Sequence, residues 1–182
     1  MAAAAKVRSA SQLGLDFERD LKASFPAAWW VTKMKGAVPP PAWGGGFTPK
    51  VDYDLEVKIP LSIISGGARA GAFFVTAIEC KSTATERLTA AALQENQRKG
   101  LKKAQSYGGL AFVAAEFRDE SGGSLVMLLD PGVFPETGSL HRDQALHLGV
   151  VLDEIVPRRW NIADIIRRHL PTGERYVWAE ST

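Results

Sequence analysis

The sequence predicts an α/β domain, a sheet flanked by helices. Three observations predict it. Segments 11–24 and 89–107 carry apolar residues at helical spacing. Runs 50–58, 72–81, 110–117 and 124–130 are strand-like, the first strictly alternating and the others nearly continuous in apolar residues. Their order is helix, strand, strand, helix, strand, strand, which is a layered α/β order.

The totals set the outer limits. The chain has 182 residues, 46% apolar and 23% charged, as in an ordinary globular protein, and it is expected to form one domain, 1–182. A single cysteine excludes an internal disulfide, and a cytoplasmic setting is expected. No apolar run approaches the length of a membrane span, so no membrane partner is expected, and the first residues lack the long apolar stretch of a signal peptide. The net charge of +2 is too small to argue for nucleic acid, so only local clusters of charge bear on that question.

After a loose leader, helix 11–24 places Leu13, Phe17 and Leu21 on one stripe and Gly14, Glu18 and Lys22 on its neighbour. Glu18 either points into a cleft or pairs with Lys22 one turn on. A short strand at 28–32 is followed by Lys33 and Lys35. Next comes an arm at about 36–47, whose consecutive prolines and glycine triplet exclude regular structure. Trp43 in that arm either tucks onto the body or is presented to a partner such as an unstacked base.

In run 50–58, Val51, Tyr53, Leu55 and Val57 face one way and Asp52, Asp54, Glu56 and Lys58 the other. A turn at 65–71 joins it to the run 72–81 as a hairpin, which would bring its carboxylates beside Glu79. Glu79 and Lys81 share one face of the second strand and Cys80 takes the other. An acid and a lysine at a buried strand end form either a salt-bridged sheet edge or a site.

Helix 89–107 stops at Gly108 and Gly109. It sets Gln97 between Leu93 and Leu101, facing the sheet, where a buried amide needs partners. Its opposite face carries Arg98, Lys99, Lys102 and Lys103, either a solvated face or a set of phosphate contacts. Region 131–149 reads as irregular, and its His141 and His147 lack metal-ligand spacing. A last helix, 162–170, is expected at the surface. Asn161 would cap it with Asp164 at the reciprocal position, and Arg158, Arg159, Arg167 and Arg168 would flank it along a phosphate-facing edge.

The ordered set Glu18, Asp52, Glu79, Lys81 and Gln97, with the Gly-Gly strand at 108–117, resembles the PD-(D/E)XK nuclease superfamily. Within it the chain is similar to the RecU-type and phage Holliday junction resolvases. The resemblance covers roughly 11–130, carried by 14–18, 51–53, 78–83, Gln97 with Leu101, and 108–117. It implies an α/β restriction-endonuclease-like fold, a mixed central sheet flanked by helices. The Asp52-to-Glu79 gap is longer than that family's pattern, which leaves Asp54 as a substitute for Asp52. The arm at 36–47 stands where those resolvases project a stalk, and the last fifty residues have no counterpart.

The resemblance further implies Mg²⁺-dependent hydrolysis of DNA, with Mn²⁺ as a substitute. Asp52, Glu79 and the Cys80 carbonyl would be ligands, and Lys81 would activate water. Gln97 would hold Lys81 or the water, and Glu18 would complete the acidic cluster. Phosphodiester hydrolysis needs charge neutralisation and an activated water, and oxygen ligands suit Mg²⁺. The expected substrate is a four-way junction cut by a C2 homodimer in a bacterial cell, of bacterial or phage origin. Lys33, Lys35, Trp43, Arg98, Lys99, Lys102 and Lys103 would hold the DNA. The alternatives are a repair- or restriction-type nuclease of the same fold, a non-catalytic accessory protein, and an unrelated α/β protein whose acids are salt bridges.

Overall fold

The computed structural model describes residues 9–34, 52–63, 73–119, 121–170 and 176–178, with 61–63 and 176–178 as backbone. Lys35, the arm at 36–47 with Trp43, and the turn at 65–71 lie outside the described residues. The central sheet runs in the order β1 (Trp30–Lys33), β2 (Leu55–Ile63), β3 (Phe73–Thr83), β5 (Leu110–Arg118), β6 (Ser124–Leu129), β8 (Gly149–Val151). β3 and β5 pair in parallel, and the other neighbours are antiparallel. β11 (Tyr176–Trp178) pairs with β2 at Leu61, Ser62 and Ile63. Two small ladders stand apart: β4 (Arg87–Thr89) with β7 (Ser139–His141), and β9 (Glu154–Val156) with β10 (Arg159–Trp160).

The expected mixed sheet with flanking helices is present. The β2–β3 hairpin is in register from Leu55 opposite Ile78 to Pro60 opposite Phe73. A parallel pair cannot close through a tight turn, so the chain leaves β3 and returns to β5 through α2 (Glu95–Ser106).

Each face of the sheet has its own core. α1 (Ala10–Lys22) and α4 (Ile162–His169) lay Phe17, Leu21, Ile162 and Ile166 on Leu55, Val57, Ile78, Phe112 and Ala114. On the other face Leu93 and Leu101 meet Ala77, Val113, Ala115, Met127 and Phe134. Burial of each such leucine or phenylalanine contributes roughly 1.5–3 kcal/mol, so the two layers clamp β3 from both sides. No helix among the described residues is long and apolar enough to cross a membrane.

Several expectations are corrected. The first long strand starts at Leu55, which leaves Asp52 and Asp54 in the irregular lead-in. α2 starts at Glu95, not near 89. Gln94 and Gln97 form a reciprocal cap there, and the alanines before it make a short 3-10 turn, Ala90–Ala92. Region 131–149 is not irregular. It holds a 3-10 turn, Pro131–Val133, then β7, α3 (Arg142–Leu148) and the start of β8. The last helix is not a surface helix, because Ile162, Ala163, Ile165 and Ile166 are buried. Asn161 stands at its N-cap position, but its side chain bonds Asp153 at the backbone N–H and the carboxylate. Asp164 pairs with Arg167 instead of closing a reciprocal cap.

Gly100 marks where α2 touches the lead-in. A Cβ on it would stand 2.4 Å from Asp52 Cβ and 2.6 Å from the Asp52 carbonyl oxygen. Both are below any tolerable contact, and one is backbone. Gly100→Ala is therefore expected to lower stability by about 1–3 kcal/mol, read as a lower denaturation midpoint with an unchanged m-value.

Candidate active site

The β3 pleat sends Ala77, Glu79 and Lys81 towards α2, and Ile78 and Cys80 towards α1 and α4. Glu79 is fully buried. Its Oε1 accepts from Gln97 Nε2 at 2.5 Å and lies 2.5 Å from Lys81 Nζ. Lys81 Nζ also donates to Gln97 Oε1 at 3.2 Å, and the Gln94 backbone N–H donates to the same oxygen at 2.9 Å. The first turn of α2 thus fixes the amide, and the amide fixes both members of the ion pair. The sequence-predicted residues Glu79, Lys81 and Gln97 are brought together.

The other oxygen of Glu79 is different. Oε2 is buried and receives no hydrogen bond from an N–H or hydroxyl donor, and the protonated carboxyl hydrogen-bonds with the Asp54 side chain. Asp54 is the acid beside it. Its backbone N–H donates to the Ile78 carbonyl at 3.1 Å, and its Oδ2 accepts from the Cys80 N–H at 2.9 Å. Burial first, and then the charge of Asp54, push the Glu79 carboxyl up to about 8, against the pull of Lys81.

Asp52 is exposed and leans on Gly100. The structure therefore puts Asp54, not Asp52, next to Glu79. Pleat alternation applies only within the strand, and both acids precede it.

Glu18 is buried but belongs to the α1 layer, and Lys33 Nζ donates to it at 2.7 Å. Its partner is Lys33 rather than Lys22. The Cys80 side chain packs against the α1 core, and burial, then Asp54, Glu79 and Glu18, push its thiol well up. Arg98 is corrected most plainly. It does not belong to the exposed basic face, because its guanidinium donates to the carbonyls of Leu93, Ala90, Phe134 and Pro135. Lys99, Lys102 and Lys103 remain exposed, Lys99 with Glu95 at 3.3 Å.

A second acid-x-cation element was not singled out from the sequence. Glu116 and Arg118 on β5 repeat the spacing of Glu79 and Lys81 and face the α1 layer. Glu116 is fully buried. Its Oε2 accepts from Ser82 Oγ and from Arg118 Nε and Nη2, and its Oε1 from Arg158 Nη1. Arg158, in a left-handed conformation with φ 62°, also reaches Asp20 at 2.9 Å. Burial opposes ionisation of Asp20, but hydrogen bonds from Arg158 and Arg19 outweigh it and hold the carboxyl low. The signal was a charge inside an otherwise apolar core strand.

Among the described residues no group of three or more His, Cys, Asp and Glu side chains is arranged to hold a metal. Two carboxylates do converge, one with an orphaned oxygen. That donor set fits a hard cation that keeps most of its waters.

The sequence matches no family model and no curated protein. Among solved structures the chain is similar to Hjc of Archaeoglobus fulgidus, a Holliday junction resolvase from an archaeal hyperthermophile. The identity is 15% and the TM-score 0.40, over 78% of this chain and 91% of that one.

Proposed function

We propose that this protein is a metal-dependent, structure-selective DNA endonuclease, a Holliday junction resolvase that makes paired nicks by phosphodiester hydrolysis. The observation that carries the reading is the contrast between the two buried glutamates. Glu116 has both oxygens bonded to hydroxyl or guanidinium donors and reads as structural, whereas Glu79 keeps a buried oxygen without an N–H or hydroxyl donor, in a carboxyl set against a second acid, Asp54. Orphaned buried polar atoms are rare and call for a reason. A divalent cation held between the two carboxylates is a sufficient one. Carboxylates that repel each other in the bare protein become a ligand pair around a divalent ion.

Asp54 and Glu79, with the Cys80 carbonyl, would hold Mg²⁺, and Mn²⁺ would substitute. When bound, such an ion neutralises charge on the phosphate and lowers the pKa of a water. Lys81 places its ammonium where negative charge grows on the phosphoryl oxygens and orients the attacking water. Gln97 holds Glu79 and Lys81 at fixed separation, so neither has to reorganise during the reaction. Glu18 is held by Lys33 in the α1 layer, close enough to Cys80 to act on its thiol. The exposed Lys99, Lys102 and Lys103, together with Lys35 and the arm's Trp43, contact the DNA backbone and shape. Opposed cuts require two sites, supplied by a C2 homodimer.

Cleavage of a labelled four-way junction and a matched linear duplex in Mg²⁺ tests this. Paired symmetric nicks on the junction alone are expected. Equal cutting of both substrates makes the protein a general nuclease. Binding without cutting, also in Mn²⁺, makes it an accessory protein and overturns the enzymatic reading. The ligand assignment has its own check. Asp54→Asn should lose about 10²–10³-fold in cleavage rate and its thermal stabilisation by Mg²⁺, while Asp52→Asn keeps both. The reverse pattern would restore Asp52 as the ligand.

A further inference from the structure

A pair of aromatic rings shares the face of the sheet that carries the candidate site. Trp30 and Phe73 stack with ring centroids 5.4 Å apart and planes 19° from parallel. They are nevertheless 64% and 37% exposed. Phe73 alternates in step with Val75, Ala77, Glu79 and Lys81 along β3. Trp30 lies opposite Lys58, and Lys58 opposite Val75, so Trp30 projects from the same face. Among the described residues, α2 and the Leu93 core cover that face around Ala77, and Trp30 and Phe73 at its far end stay exposed. From Phe73 to Glu79 is six residues of strand, about 20 Å at strand rise.

We infer that the Trp30–Phe73 pair is a base-stacking platform for DNA whose bases are unstacked at a branch point. The inference rests on the nuclease reading, because the argument for this occupant is continuity with the candidate site on one sheet face. A duplex hides its base faces and offers nothing to an exposed ring, whereas a branch exposes the terminal face of a base. Phe73 backs Trp30 from one side and holds the indole, so the outer face of Trp30 meets a base with little loss of freedom. The platform adds recognition of branching to the general backbone attraction of the lysines.

The test measures binding of the full chain to a four-way junction and to a linear duplex, in EDTA, for wild type, Trp30→Ala and Trp30→Phe. Trp30→Ala is expected to weaken junction binding about tenfold and duplex binding less than twofold, with Trp30→Phe close to wild type. The slope of log K against log salt should not change, because stacking releases no counterions. A 2-aminopurine at the branch should respond to wild type and not to Trp30→Ala. Trp30 is mostly exposed, so an unchanged unfolding midpoint is expected to separate lost contact from lost fold. Equal junction binding by wild type and Trp30→Ala overturns the platform. So does a changed oligomeric state with DNA binding unaltered, which would assign the rings to a protein contact. If wild type cuts junctions while Trp30→Ala binds and cuts normally, the platform fails and the nuclease reading stands. If wild type binds without cutting but Trp30→Ala loses the junction, the nuclease reading fails and the platform stands. No DNA binding by wild type removes both.

Discussion

Glu79→Gln should reduce junction cleavage by about 10³-fold while leaving DNA binding nearly intact. It should also make the protein more stable at pH 8. Both effects have one cause. The Glu79 carboxyl is pushed up to about 8 from its ordinary 4.5, mainly by burial and by the charge of Asp54. A raised carboxyl favours the folded state in its neutral form. Its contribution is fully present below about pH 4.5 and is lost as the pH rises through about 8. Glutamine never ionises, so the variant should match wild type near pH 4.5 and gain on it steadily above. Chemical denaturation across that range would show the gap opening with pH, and a constant gap would contradict the assignment. Cation binding must expel the same proton. Thermal stabilisation of wild type by Mg²⁺ should therefore grow from pH 6 to 8, and in the variant it should be absent.

Glu116→Ala is expected to lower stability by about 3–5 kcal/mol, the cost of breaking a buried ion pair by removing one partner. The glutamate collects donors from Ser82, Arg118 and Arg158. Arg118 in turn donates to the Leu13 carbonyl of α1, and Arg158 carries the turn between β9 and β10. Three separate parts of the chain meet on one carboxylate, so its loss should loosen α1 as well as the local strand. Urea denaturation measures this, and a loss below about 1 kcal/mol, the scale of a surface pair, would contradict it. Glu116→Gln should not rescue the protein, because its amide turns a donor towards arginines that have only donors to offer.

These two glutamates show what was legible in the sequence. The acid and lysine of β3 stood out because they ended an apolar run, and Gln97 because an amide broke a leucine stripe. The helix and strand order followed from periodicity, and the mixed sheet was the expectation that the resemblance added to it. Asp54 was legible only as a substitute, since its role depends on where β2 begins, and that is set by backbone bonds from Asp54 to Ile78 and from Met34 to Asp54. Arg98 looked like its lysine neighbours. Its difference lies in the carbonyls of Phe134 and Pro135, which only tertiary packing brings within reach. The short elements between 131 and 156 were illegible because each is held by neighbours rather than by its own pattern. The last helix was read from its arginines when its isoleucines decide its place.

The parallel pairing of β3 and β5 has a kinetic consequence. Residues in register there, such as Ser82 and Glu116, are separated by the whole of β4 and α2. The β2–β3 hairpin is more local and can form before that loop has closed. Asp54 and Glu79 therefore meet early, on the hairpin, as two bare acids in water. Gln97 arrives only when the crossover docks. Until then the acids are solvated and repel weakly, and afterwards they are desolvated and held together. The last step of folding is thus the one that desolvates Glu79 beside Asp54 and makes it take up a proton. A cation present during refolding should speed that step, and it should slow the first step of unfolding by the same logic.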